Sequence, residues 1–461
     1  MKRVTSIFRC LGAAVIAAAA ASSAVGQTRT AYPYKAPVNG EIAVVATGVL
    51  RDRQPLASDT LMQQVADCGF NMVSLVGTID IPKRLDEFKR SLANAREAGL
   101  GVLAANYFWN LNGHDPKAGT MWAKKYLDEF RDDPTIVAWQ LKDEPNYDQL
   151  TDTTDGYNLQ TIYNYIRDND PLHRPIQVNL VGSPENVFML GHSYDEFLSA
   201  FQSNFRPTLW SFDHYPITRR IKGTTLPAIP DETGPVNVGY QTFYEDLATY
   251  NRLSERGGGA FWMYLQSMEY LVGHYLRPAA TVPYLSFQAF SALAYGAQGI
   301  LYWTYRNRPD TKSEQYGQAL IDLDGEMTPS WDAAKTVNHR IRRYNEVFAG
   351  SRLMEATHVG EIYPGCPVMK KRIGPLLRAR TEKGGKGMLL TRLRNGDREF
   401  LVIVSHDVTE AQQIILTFKE GYKIQELTPA DCGDGKSGGK VDTSRPVRRL
   451  LPPGGVCIFE I

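Results

Sequence analysis

The chain has 461 residues, 43% hydrophobic and 22% charged, a balance ordinary for a folded globular protein. Its 51 Lys and Arg offset 50 Asp and Glu, so no charge excess argues for nucleic acid or anionic lipid as a partner. The length exceeds one average domain and favours one large domain plus one small one.

The N-terminus carries Lys2, Arg3 and Arg9, an apolar run from Leu11 to Ala21, and small residues at Ala24-Val25-Gly26 before Gln27. That is the layout of a secretory signal peptide over residues 1–26, removed on export to the periplasm or the medium. A membrane anchor needs roughly 20 apolar residues, and this run is shorter, so no membrane insertion is expected after cleavage. Cys10 precedes the apolar run, which argues against lipidation there. The other cysteines are Cys68, Cys366, Cys432 and Cys457. An oxidising compartment permits disulfides, but sequence fixes no pairing. Cys68 falls on an apolar helix face and reads as a core residue. No CxxC pair or close His/Cys cluster points to structural zinc, and no cofactor is expected.

From residue 41 to about 350 one unit repeats: a short apolar, β-branched run, then a longer stretch of helical period. The apolar runs begin near Ile42, Asn71, Gly101, Ile136, Pro175, Thr208, Gly259 and Gly299. Amphipathic helices are predicted over Ser58 to Cys68, Lys83 to Ala98, Thr120 to Arg131 and Tyr240 to Glu255. Strands alternating with helices imply a parallel sheet, and eight units in about 300 residues fit a closed (β/α)8 TIM barrel. An open doubly wound sheet would carry a glycine-rich phosphate turn after its first strand, and here Ala46-Thr47-Gly48 leads into Val49-Leu50. The barrel is assigned to residues 27–352. Beyond Glu355 the pattern shifts to short alternating runs at Phe400 to Ser405, Ile414 to Phe418 and Val456 to Ile461, with Asn395-Gly396-Asp397 as a hairpin signal. Residues 353–461 thus read as a small all-β sandwich. All seven Trp lie at or before Trp331, so this domain lacks the tryptophan of many sugar-binding modules and is expected to support the barrel.

Catalytic groups in such barrels come from the C-terminal ends of the strands. The fourth run reads Ile136-Val137-Ala138-Trp139-Gln140-Leu141-Lys142-Asp143-Glu144-Pro145-Asn146 and ends on two adjacent carboxylates. Strand alternation sends neighbours to opposite sides, so Asp143 and Glu144 need not share one role. Helix capping is a plainer use for them, but the next helix is expected only around Asp155. The run Trp139 to Asn146, approached through Asp132-Asp133-Pro134, resembles the strand-four signature of the glycoside hydrolase clan A barrels, in its Asp-Glu-Pro form. That resemblance implies an O-glycosyl hydrolase acting on a poly- or oligosaccharide, with Glu144 as general acid/base and Asp143 at the position that binds the sugar 2-hydroxyl.

The other strand ends suit a sugar cleft. Strand three ends in Asn106 to Asn110 with Trp109, strand five in Asn179, and strand eight in Trp303 to Asn307. Strand six ends in Asp213-His214-Tyr215-Pro216, which resembles the Asp-x-Tyr-Pro turn of many clan members. Aromatic faces stack on apolar sugar faces, while amides and carboxylates bind hydroxyls. The substrate-binding set is therefore Asp143, Asn106, Trp109, Asn179, Asp213, Tyr215, Gln266 and Trp303, with core packing the plain alternative for each aromatic. Strand seven departs from the family. Gln266 stands where the resemblance places a nucleophilic Glu, and an amide forms no glycosyl-enzyme bond. Glu269, three residues on, is the first substitute, with Glu232 and Asp213 next and no nucleophile as the remaining option. That last option is the rival reading, a degenerate barrel that binds glycans without cleaving them. A metal-dependent hydrolase would want His clusters, and His214 is the lone strand-end His; it reads as a hydrogen-bonding neighbour of the site. The sugar, linkage and oligomeric state are not legible.

Overall fold

A computed structural model describes residues 40–50, 56–76, 82–105, 118–153, 158–221, 242–360, 366–382, 385–427 and 438–461. Asn106, Trp109, Glu232, Cys432 and the signal segment lie outside these. Eight strands close into a parallel barrel: β1 (Ala43–Ala46), β2 (Met72–Val76), β3 (Gly101–Ala105), β4 (Ile136–Asp143), β5 (Ile176–Val181), β6 (Leu209–Asp213), β7 (Ala260–Gln266) and β8 (Gly299–Trp303). Each pairs with its neighbours in chain order, and β8 closes on β1 from Ala43↔Gly299 to Ala46↔Tyr302.

Alternation divides each strand between two cores. Ala43, Val45, Met72, Leu103, Ala138, Leu209, Ala260, Trp262, Tyr264 and Leu301 fill the barrel axis. Their neighbours, such as Val44, Val102, Trp139, Val178, Phe212 and Met263, pack outward against the helices, as the fold requires. Gly299 is dictated by this filling, because a Cβ there would stand 2.5 Å from the Trp262 indole.

The predicted helices form within a few residues of expectation, as Asp59–Asp67, Pro82–Glu97, Ala118–Phe130 and Phe243–Gly257. Ser58 starts the first, its Oγ accepting from the Leu61 amide at 3.2 Å. Cys68 is fully buried, as expected, and Cys68, Cys366 and Cys457 are all unbridged. Among the described residues no helix is long and apolar enough to cross a membrane.

The sandwich follows. Its larger sheet orders β9 (Arg352–Gly360), β11 (Gly387–Asn395), β12 (Arg398–Ser405), β16 (Val456–Glu460) and β14 (Gln425–Glu426). Its smaller sheet holds β10 (Leu376–Thr381), β13 (Gln412–Phe418) and β15 (Val447–Leu451). The expected hairpin joins β11 to β12, with Asn395 paired to Arg398. The helix Val282–Ala294, buried over Leu285 to Ala294, packs β7 on one side and β11, β12 and β16 on the other, so barrel and sandwich share one continuous core. A polar chain crosses the same seam: the Tyr295 hydroxyl meets His358 Nε2 at 3.2 Å, and His358 Nδ1 meets His406 Nε2 at 3.1 Å. Burial pushes the His358 imidazole down to about 4, so it is neutral at physiological pH.

Candidate active site

The position of the carboxylates follows from one irregularity in β4. Gln140 pairs with Gln177, yet Lys142 pairs with Val178 and Asp143 with Asn179, so β4 carries one extra residue. Ala138 and Gln140 face the axis. Strict alternation would next turn Lys142 inward, and the bulge substitutes Asp143. Glu144 then leaves the strand with φ 46°, left-handed for a residue with a side chain, a conformation that costs about 1–2 kcal/mol and clusters at functional sites. Its amide still donates to the Asn179 carbonyl at 2.9 Å. Asn146 caps a short helix over Tyr147–Thr151, in a reciprocal box with Gln149. This corrects the expectation of a helix only from Asp155: five residues are too few to show helical period. Neither Asp143 nor Glu144 is the cap.

Below the carboxylates the axis is wired rather than greasy. Ser74 Oγ donates to Gln140 Oε1 at 3.0 Å, and Gln140 and Gln177 amides both donate to the Tyr264 hydroxyl, at 3.2 and 3.3 Å. Gln177 also donates to Ser211 Oγ at 2.9 Å, and Ser211 in turn donates to Asn179 Oδ1 at 3.0 Å. That last bond fixes which end of the Asn179 amide faces up. Its Nδ2 donates to Asp143 Oδ1 at 3.0 Å and Asp213 Oδ1 at 3.1 Å. Two bonds diverging from one amide nitrogen set those oxygens about 5 Å apart.

Crowding three acids together shifts them all. Burial raises Glu144 to about 7, aided by the charges of Asp143, Glu185 and Glu314 and opposed by Lys142. Burial, then Glu144 and Asp143, holds Asp213 well above the carboxylate range, against the Asn179 bond and Arg277. Burial also raises Asp143, opposed by Asn179, Lys142 and Arg308. Asp143 is nonetheless an exposed residue. The Tyr215 hydroxyl is raised by burial and by Asp213 and Glu144. Among the described residues, neither the Glu144 carboxyl nor the Tyr215 hydroxyl has a hydrogen-bond partner.

An aromatic wall stands beside the acids. Tyr215 stacks on Trp303 with centroids 6.0 Å apart, and Tyr270 meets Trp303 edge-on at 5.3 Å. The Arg277 guanidinium lies 4.9 Å from the Tyr215 ring and 4.8 Å from that of Tyr270. Tyr270, Arg277, Glu314 and Tyr316 sit on a four-stranded antiparallel sheet of Arg219–Arg220, Tyr270–Val272, Tyr275–Arg277 and Glu314–Tyr316. This sheet is assembled from the connections after β6, β7 and β8. Its strands are two or three residues long, too short for a period-2 signal, and sequence reasoning missed all four residues.

Of the expected site residues, Asp143, Glu144, Asn179, Asp213, Tyr215 and Trp303 converge. Gln266 follows Trp262 and Tyr264 on the inner face of β7 but is buried, its amide donating to the carbonyls of Met268 at 3.3 Å and Pro278 at 2.7 Å. Glu269 is held elsewhere. Its backbone pairs with Gly317 and Gln318, and its carboxylate accepts from the Gln318 amide at 3.4 Å. It fills the space left by Gly317, whose Cβ would stand 2.2 Å from Oε2. Burial raises it, but Glu144 is not among the groups acting on it. His214 turns away from the acids to Asp246, Nδ1 to Oδ2 at 2.7 Å. Among the described residues no group of three or more His, Cys, Asp or Glu is arranged to hold a metal ion.

No protein-family model matches the sequence, and no curated protein does. Solved structures do match in fold. A catalytic-mutant form of Gan42B, a GH42 β-galactosidase from G. stearothermophilus, superposes with a TM-score of 0.57 at 10% identity, over 91% of this chain and 98% of that one. The β-galactosidase from Bacillus circulans sp. alkalophilus gives 0.53 at 11% identity, over 91% and 99%. A β-galactosidase from the psychrophilic Marinomonas ef1 aligns at 12% identity with a TM-score of 0.45, over 66% of this chain; the chain spans 60% of that protein's length. What the chain has in common with Gan42B and the B. circulans enzyme is therefore its architecture, a (β/α)8 barrel followed by a β-sandwich.

Proposed function

We propose that this protein is an exported glycoside hydrolase that cleaves O-glycosidic bonds of a poly- or oligosaccharide, with Glu144 as its acid/base. The observation that carries the reading is the state of Glu144. Its carboxyl sits at the C-terminal rim of the barrel, without a hydrogen-bond partner among the described residues, and burial and Asp143 raise it to about 7. An acid held there keeps a proton at neutral pH and releases it to a leaving oxygen. The shared architecture with β-galactosidases over nine-tenths of the chain agrees with that reading, and the half-buried Trp303, backed by Tyr215 and Tyr270, offers a ring on which a sugar stacks. Export rests on the basic and apolar start of the chain.

A second reading, glycan binding without cleavage, is favoured by one feature: Gln266 occupies the inner face of β7 where a retaining barrel of this kind carries a carboxylate. Incubating the mature protein with a panel of plant, algal and bacterial glycans separates the two. Hydrolysis predicts new reducing ends that accumulate with time. Saturable binding to a glycan whose chain length never falls would establish the second reading.

A further inference from the structure

A reaction that retains configuration needs two groups: an acid on the leaving oxygen and a nucleophile on the opposite face of the anomeric carbon. Glu144 supplies the acid. None of the described strand-end positions that the sequence offered for the nucleophile serves, each for its own reason. Gln266 is an amide locked on the Met268 and Pro278 carbonyls. Glu269 is turned onto the Gly317–Gln318 backbone. Asp213 is 7% exposed and its charge is suppressed by burial and two neighbouring carboxyls, and a neutral acid is a poor nucleophile. Asp143 follows a different logic. It is the residue next to Glu144, their Cα atoms about 3.8 Å apart, so both carboxyls approach a bound sugar from the same strand end. A carboxylate on the acid's own side cannot attack the opposite face. It can reach the substituent on the carbon next to the reacting one.

We propose, building on the assignment of Glu144, that the nucleophile belongs to the substrate: the site takes 2-acetamido sugars, whose acetamido oxygen attacks the anomeric carbon while Asp143 holds the acetamido N–H. Asp143 is suited to this. The bulge in β4 brings it inward, Asn179 anchors one of its oxygens, and its other oxygen has no partner among the described residues. The Tyr215 hydroxyl, in the field of the same acids and without a partner among the described residues, would donate to the acetamido oxygen. In the first step Glu144 gives its proton to the glycosidic oxygen, and the C1–O bond breaks with its electron pair leaving on that oxygen. A lone pair of the acetamido oxygen closes a ring onto C1, and the resulting N–H⁺ is held by the Asp143 carboxylate. In the second step the Glu144 carboxylate takes a proton from water as the water oxygen bonds to C1. The ring C1–O bond breaks and its pair returns to the acetamido carbonyl. One water is consumed, Glu144 is again protonated, and two inversions give net retention.

The test compares 4-nitrophenyl 2-acetamido-2-deoxy-glycosides of the gluco and galacto series, both anomers, with their 2-trifluoroacetamido and 2-hydroxy counterparts. The proposal expects cleavage of an acetamido glycoside with retained configuration by proton NMR. It expects kcat/KM to fall by about tenfold or more on trifluoroacetyl substitution, which weakens the attacking oxygen. Asp143→Asn should lower kcat/KM on that substrate by about 10²-fold at an unchanged Tm. Glu144-dependent cleavage of 2-hydroxy glycosides at equal rate, with Asp213 labelled by a 2-deoxy-2-fluoro glycosyl fluoride, would overturn the proposal and leave the hydrolase intact. Inversion of configuration would do the same. Failure to cleave any member of the panel, together with intact glycans in the binding assay, would overturn both.

Discussion

Replacing Asp143 by Asn removes a charge while keeping the side chain's size, and its effect on Glu144 can be bounded. Glu144 stands at about 7 against an ordinary 4.5, a rise equivalent to about 3 kcal/mol. Burial is the largest cause, and Asp143 leads the three charges that share the remainder. Asp143 therefore raises Glu144 by less than burial does, and removing its charge should undo only part of the rise. An acid catalyst works only while protonated, so kcat/KM is lost as pH rises through the pKa of the free enzyme. Asp143→Asn makes Glu144 a stronger acid and should move that limb downward from about 7. The assay is kcat/KM for a 4-nitrophenyl glycoside over about pH 4 to 9, stopped and read at alkaline pH, on the activity the variant retains. A limb that stays at about 7, or moves upward, would refute the electrostatic coupling of the two residues.

Other consequences are as direct. Glu269→Ala should leave turnover within a few-fold of wild type and unresponsive to azide; abolished turnover restored as a glycosyl azide would return the nucleophile's role to Glu269. Gly299→Ala pushes a methyl into the Trp262 indole and should cost about 1–3 kcal/mol, read as a lower urea midpoint at unchanged slope. His358, buried neutral at about 4, binds a proton in the unfolded chain near 6.5 that the folded chain refuses. Stability present above 6.5 is thus lost as pH falls toward 4, by about 2–3 kcal/mol at pH 4.5. His358→Gln should flatten that part of a Tm-against-pH curve, and an unchanged slope would show that other groups set it.

The barrel was legible because its signal is local and repeated: eight apolar runs such as Ile300 to Trp303, each with an amphipathic partner. The Asp143-Glu144 pair was legible as a strand ending in charge. What sequence could not show is the direction in which those residues point. One extra residue between Gln140 and Lys142 reverses the parity of Asp143, and the bulge exists only against β5. Likewise, Glu269 lies three residues past β7, and its aim is set by Gly317 and Gln318, nearly fifty residues away. Arg277 and Tyr270 joined the site through strands of three residues that have no meaning until they pair.

The central claim is that Glu144 moves the proton, and the measurement closest to it is the leaving-group dependence of Glu144→Gln. With a natural glycan, whose departing alkoxide needs a proton, kcat should fall by about 10²–10⁴-fold. With a 2,4-dinitrophenyl glycoside, which departs unaided, the first step should run near the wild-type rate. Near-normal turnover of the natural glycan by this variant, or an equal loss on both substrates, would contradict the assignment.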